Sequence, residues 1–119
     1  MEIGDYIDKP WGWEEILDIN DSYCIKHLFI EDGKRLSLQY HERKTETLIL
    51  LSGSAEVTWG RDGNERVEPM VLSKPYPVVP GTIHRIRGIG REGGLILEVS
   101  TTELDDVVRL CDDYGREGT

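Results

Sequence analysis

The chain has 119 residues, 31% of them charged and 38% hydrophobic, and a formal net charge of −9. That length suits one domain with one core and no need of cross-links. The acidic balance argues against nucleic acid or an anionic membrane as the main partner, and admits an anionic small molecule only beside a local cluster of basic side chains.

The opening Met1–Tyr6 is acidic and has no leader-like apolar run. No stretch approaches the apolar length that crosses a bilayer as a helix. Cys24 and Cys111 stand at no metal-ligand spacing and read as reduced thiols. A single domain over residues 1–119, working in the cytoplasm, is the expectation. Residues 1–10 read as a loose lead-in with at most one helical turn. Strands are predicted over Trp11–Ile19 and Tyr23–Ile30, the second carrying Tyr23, Ile25, His27 and Phe29 on one face. Asp32-Gly33 supplies the positive φ of a hairpin into Arg35–His41, and Thr45–Leu51 follows. Further strands are predicted over Ala55–Gly60, Glu65–Leu72, Tyr76–Val79, Ile83–Arg87 and Leu95–Ser100, with Gly- and Pro-bearing turns between them. Thr101 or Thr102 is placed to cap a short helix running to Leu110. Roughly nine short strands at close spacing specify an all-β sandwich or barrel, and a small jelly-roll barrel with a short C-terminal helix is the expected architecture.

Alternation along an extended strand puts Gln39 and His41 on one face. A chain that folds back after His41 brings Glu46 to the same point, and His84 follows the Pro80-Gly81 turn. Amide oxygen, imidazole, carboxylate and imidazole make a donor set for a divalent cation. The same parity turns Leu36, Leu38 and Tyr40 outward, and Ile49 and Leu51 oppose the inward side of the next strand. An apolar outer face needs cover, and a homodimer is the expected cover, with the chain's own ends as the alternative. His27, on a face read as inward, is a candidate proton carrier. Arg43, two residues past His41, is placed over the barrel mouth, where a guanidinium can hold phosphate or carboxylate through two hydrogen bonds.

Gly33, Gln39, His41, Glu46 and Gly53 fall on the spacing of the first cupin motif, with Gln in place of its first His. Val79-Pro80-Gly81-Thr82-Ile83-His84 resembles the second motif, with the Pro displaced by one. The Pro10-Trp11-Gly12-Trp13 opening, the Arg35–His41 strand and the Asp112–Arg116 tail extend the likeness over nearly the whole chain. Together they resemble the phosphomannose isomerase branch of the cupins, double-stranded β-helix barrels. That branch includes the cupin domain of bifunctional mannose-6-phosphate isomerase/mannose-1-phosphate guanylyltransferases. The resemblance implies a divalent metal on Gln39, His41, Glu46 and His84, Zn²⁺ first, with Fe, Mn, Co or Ni as alternatives. It further implies aldose–ketose isomerisation of a small anionic sugar through an enediolate stabilised by the cation. Arg35 matches the Arg of the family's R-L-S-L-Q strand and Lys44 the Arg of its H-R-x-E-H, so Arg35, Arg43 and Lys44 are expected to position the phosphate. Arg43 and Thr47 stand where the family carries two further histidines. Two rival functions share the ligand set: a non-haem Fe(II) oxygenase, whose triad is two His and a carboxylate, and a non-catalytic sugar- or metabolite-binding cupin.

Overall fold

A computed structural model describes residues 1–118 and shows, among them, eleven strands and no helix. One antiparallel sheet runs β1 (Tyr6–Lys9), β2 (Gly12–Ile19), β3 (Cys24–Ile30), β10 (Gly94–Ser100), β5 (Glu46–Gly53) and β8 (Pro75–Val78), in that spatial order. The other runs β11 (Val108–Cys111), β4 (Leu38–Tyr40), β9 (Ile83–Gly88), β6 (Ala55–Gly60) and β7 (Arg66–Pro69). The two sheets form the cupin barrel.

The strands are graded along their length, and that gradient places the site. Inward positions on β3 read Lys26, Leu28, Ile30, and on β5 they read Glu46, Leu48, Leu50. On β10 they run the other way, Ile96, Glu98, Ser100, and the antiparallel register sets Ile96 against Leu50 and Ser100 against Glu46. Apolar ends therefore stack with apolar ends, and polar with polar. One half of the barrel fills with Ile30, Leu50, Val57, Ile86 and Ile96, closed by Tyr76 lying edge-on to Trp59 at 5.7 Å. Each such fully buried side chain contributes roughly 1.5–3 kcal/mol. The other half keeps buried polar groups, His41, Lys44, Glu46, His84 and Glu98.

The turn from β5 into β6 depends on Gly53. Its φ of 76° lies in the left-handed region, and a Cβ there would sit 2.0 Å from the Gly93 carbonyl oxygen. Gly53→Ala is expected to cost roughly 2–5 kcal/mol, from left-handed strain plus overpacking, read as a lower urea midpoint at unchanged slope.

Three sequence expectations are corrected. The lead-in contains β1, which pairs with β2 from Tyr6↔Glu15 to Lys9↔Gly12. The expected C-terminal helix is absent; residues 102–107 turn, and β11 pairs with the edge of β4 through Val108↔Tyr40 and Arg109↔Gln39. A local capping preference lost there to hydrogen bonds offered by a sheet edge. Leu36 does not face outward: the chain before Leu38 is irregular, and Leu36 packs against the core.

Candidate metal centre

His41 follows β4, Glu46 opens β5 and His84 is the second residue of β9. Their side chains converge although His84 lies far from the other two in sequence: Glu46 Oε1 is 3.2 Å from His41 Nε2 and 3.0 Å from His84 Nε2. One ligand atom from each lies within 4.8 Å of the others, and all three residues are buried. Gln39 is directly cross-strand from His84. Its Oε1 accepts a hydrogen bond from Ser37 Oγ at 2.6 Å.

The tautomers follow from the partners. Nδ1 of His41 donates to the Asp106 carbonyl, and Nδ1 of His84 donates to the Thr82 carbonyl at 3.0 Å. A carbonyl can only accept, so each Nδ1 carries hydrogen, and Nε2 is the nitrogen that each ring turns toward Glu46. Two imidazole Nε2 atoms and a carboxylate oxygen then face one point, a donor set that can hold a divalent cation. This backbone-carbonyl support is what orients metal-binding histidines generally. The donor set fits a divalent metal of the Zn, Fe or Mn kind. Burial works to raise the Glu46 carboxyl, but the two imidazoles and the Lys44 ammonium outweigh it and hold the group well below the usual carboxylate range.

Of the trio, His41 lines a cavity of about 410 Å³, together with Gln39. Lys9, Lys26, Lys44, Arg109 and Arg116 line it against Glu14, Glu98 and Asp105, so five cations meet three carboxylates in a chain whose net charge is −9. Glu14 lies between Lys9 and Lys26, at 3.7 and 3.8 Å. Lys44 lies between Glu46 Oε2 at 3.3 Å and Glu98 Oε2 at 3.6 Å. Burial pulls Lys44 down, and the two glutamates more than reverse it, so its ammonium is held above its ordinary range. Glu98 is pushed up, first by burial and then by the neighbouring Glu46 charge, and its Oε2 lacks a well-formed hydrogen bond.

Of the residues expected to act on substrate, the fold brings Lys44 to the cavity wall and leaves three elsewhere. His27 sits on the outer face of β3, opposite the inward Lys26 and Leu28, with Nδ1 3.4 Å from Glu15. Arg43 is exposed on the loop before β5. Arg35 is bound to Asp113 through two hydrogen bonds of 2.7 and 2.9 Å. Sequence reading missed Lys26, Glu98, Glu14, Arg109 and Arg116. A signal existed for two of them: Lys26 and Glu98 are charges in phase with the apolar inward positions of their own strands. The loop carrying Arg43 is fixed by Asp106, whose carboxylate accepts the backbone N–H of Glu42, Arg43 and Lys44 at 2.6–3.1 Å. Partial burial opposes ionisation of Asp106, yet those three donors bring its carboxyl down to about 2.

Residues 2–112 match the sequence profile of a family described as mannose-6-phosphate isomerase C-terminal. The chain belongs to that family. Its relatives include the alginate biosynthesis protein AlgA of Pseudomonas putida, 32% identical over 93% of this chain and 23% of AlgA. The xanthan biosynthesis protein XanB of Xanthomonas campestris pv. campestris is 32% identical over 91% of this chain and 23% of XanB. The mannose-1-phosphate guanylyltransferase of Escherichia coli is 31% identical over 91% of this chain and 22% of the enzyme. The chain thus spans less than a quarter of the length of these relatives. Among solved structures, oxalate decarboxylase of Bacillus subtilis superposes with a TM-score of 0.76 at 18% identity, over 90% of this chain and 30% of that one. KdgF from Halomonas sp. gives 0.70 at 18% identity, over 85% and 91%. At these identities the structural likeness speaks for the cupin fold alone.

In this chain the Asp112–Arg116 tail is a clamp. Arg35 holds Asp113, Arg85 Nε and Nη2 donate to the carbonyls of Leu36 and Cys111 at 3.1 and 3.3 Å, and Tyr114 packs on the core. Arg116 grips the buried Asp112 with Nε and Nη2 at 2.8 and 3.0 Å. Arg116 and Arg35 respectively hold the Asp112 and Asp113 carboxyls below their ordinary value. Depressed carboxyls contribute stability that is present above about pH 3.9 and lost as pH falls through the lowered folded values. Below about pH 4, amide protection of β11 is therefore expected to fall before that of β5 and β10. Loss of protection in β11 and the core at the same pH would contradict the clamp.

Proposed function

We propose that this chain is a metal-dependent sugar-phosphate isomerase, holding Zn²⁺ and interconverting mannose 6-phosphate and fructose 6-phosphate. The observation that carries this reading is that His41, one member of a His–Glu–His cluster with converging donor atoms, lines a cavity whose wall carries more basic than acidic side chains in an otherwise acidic chain. When bound, the metal supplies Lewis-acid stabilisation for the enediolate between aldose and ketose. His41, Glu46 and His84 hold it, and Gln39, cross-strand from His84, offers an amide oxygen either to it or to a substrate hydroxyl.

Glu98 takes the C2 proton of the aldose and returns it to C1. The hydroxyl proton of O2 passes to O1 through solvent, so that the aldehyde becomes the hydroxymethyl group and C2 the ketone. Glu98 lines the cavity and is 7% exposed, and its Oε2 lacks a well-formed hydrogen bond. General acid–base work asks for a carboxyl in such surroundings. Lys44, wedged between Glu46 and Glu98, keeps both carboxylates in place while the charge moves. The cavity of about 410 Å³ is of a size for one small ligand.

The test is a coupled assay. Zinc-loaded protein given mannose 6-phosphate is expected to form fructose 6-phosphate, to stop with a chelator and to recover on adding Zn²⁺. A fully loaded, folded protein that forms none contradicts the isomerase reading.

A further inference from the structure

We propose that the outer face of the six-stranded sheet is where two copies of this chain meet, sheet against sheet, as a two-fold dimer. This rests on the fold and is independent of the isomerase reading.

Strand parity and register supply the first argument. On β3 the side chains that turn away from the barrel are Ile25, His27 and Phe29, and on β10 they are Leu95, Leu97 and Val99. Register sets them directly opposite one another, Ile25 with Val99, His27 with Leu97 and Phe29 with Leu95. Strand β5 continues the rows with Ile49, opposite Leu97, and with Leu51, which is 40% exposed. On the other flank Trp13 is opposite Phe29, and its ring lies 5.6 Å from that of Phe29 and 5.3 Å from that of Tyr6. The middle of the face is therefore hydrocarbon and aromatic ring, interrupted where His27 meets Glu15 at 3.4 Å, with Asp8 and Asp18 toward the rim. An antiparallel sheet whose outer side meets water alternates apolar-in with polar-out. A sheet apolar on both sides is a covered sheet, and a dry centre with a polar rim is how protein interfaces are built.

Size and charge choose the occupant. The sheet has four strands of seven or eight residues and two of four. At about 4.8 Å between strands and about 3.4 Å per residue they cover roughly 600 Å². Two copies together remove roughly 1,200 Å² from water, the lower end of the range for specific interfaces. Copies of a chain with a net charge of −9 repel one another wherever acidic surface meets acidic surface. The centre of this face carries little of that charge, so it is where two copies can approach. Identically twisted sheets pack face to face at about 30° with interdigitating side chains, a geometry that a second copy supplies without adaptation. The cavity stays open in such a dimer, because Lys26 and Glu98, which line it, point to the other side of β3 and β10. Leu38 and Tyr40 lie on the five-stranded sheet, so of the apolar positions for which a dimer is expected as cover, this face takes Ile49 and Leu51 alone.

Sedimentation velocity of the zinc-loaded chain, over about 1–100 μM, tests this, and the dimer is expected to dominate at the upper end. Leu97→Arg puts two guanidiniums into the centre of a two-fold interface. It is expected to weaken dimerisation by at least about 100-fold and to keep its zinc. Val67→Arg is the control: Val67 is 61% exposed on β7 of the other sheet, and the variant is expected to dimerise like the parent. A parent chain that stays monomeric at about 100 μM would overturn the proposal and leave the face to a different partner. A dimer affected equally by Leu97→Arg and Val67→Arg, or by neither, would overturn it as well and put the contact elsewhere. Should Leu97→Arg melt below the measurement temperature, Leu51→Arg, at a more exposed position of the same face, decides alone. Weakened association then supports the dimer face, and association equal to the parent's overturns it.

Discussion

Replacing His84 with alanine is expected to strip the chain of its metal and of any metal-dependent turnover. His84 is 1% exposed, its Nδ1 is committed to the Thr82 carbonyl, and its Nε2 points at Glu46. No other histidine of the chain can take its place, because His27 lies on the outer face of β3. Losing a partner that merely orients a ligand costs 10–100-fold in metal affinity as a rule, so losing the ligand itself should exceed about 100-fold. Elemental analysis after dialysis reads this directly. His27→Ala is the control and is expected to keep its metal. A metal content in His84→Ala equal to that of the control would remove His84 from the centre.

Lys44→Met is expected to produce the largest loss of stability of any single change in the site. Its ammonium, 6% exposed, stands between Glu46 and Glu98, which are 3% and 7% exposed. Removing it leaves two buried carboxylates facing each other, and breaking a buried ion pair from one side typically costs about 3–5 kcal/mol. Adding Glu98→Gln removes the uncompensated charge and should recover a large part, so the double variant is expected to be more stable than Lys44→Met alone. Glu98 already has a raised carboxyl. With the ammonium gone it rises further, so the deficit of Lys44→Met is greatest at neutral pH and shrinks as pH falls through the folded value of Glu98. Urea unfolding of the metal-free proteins at neutral and mildly acidic pH checks both statements. A Lys44→Met deficit within 1 kcal/mol or so of zero, the range of surface ion pairs, would mean the network is solvated.

The barrel and the convergence of His41, Glu46 and His84 were legible because both rest on parity and spacing: strand alternation, a fold-back after His41 and the Pro80-Gly81 turn suffice. Strand β11 was not legible: Thr101-Thr102 followed by acidic residues reads locally as a capped helix, and only the open edge of β4 makes a strand of Val108–Cys111. The same omission hid Arg109, whose place in the cavity depends on that pairing. His27 was misplaced because the outer half of β3, with Ile25 and Phe29, is as apolar as an inner face, while the true inner face carries Lys26. Arg35 was misjudged for a like reason, since its partner Asp113 lies 78 residues away.

X-ray absorption at the zinc edge, on protein loaded with one equivalent of Zn²⁺, tests the central claim most directly. A shell of two imidazole nitrogens near about 2.0–2.1 Å with carboxylate or amide oxygen near about 2.0–2.2 Å is the result expected for His41, Glu46 and His84. A shell containing sulfur at about 2.3 Å, drawn from Cys24 or Cys111, or one made of oxygen alone, would contradict it.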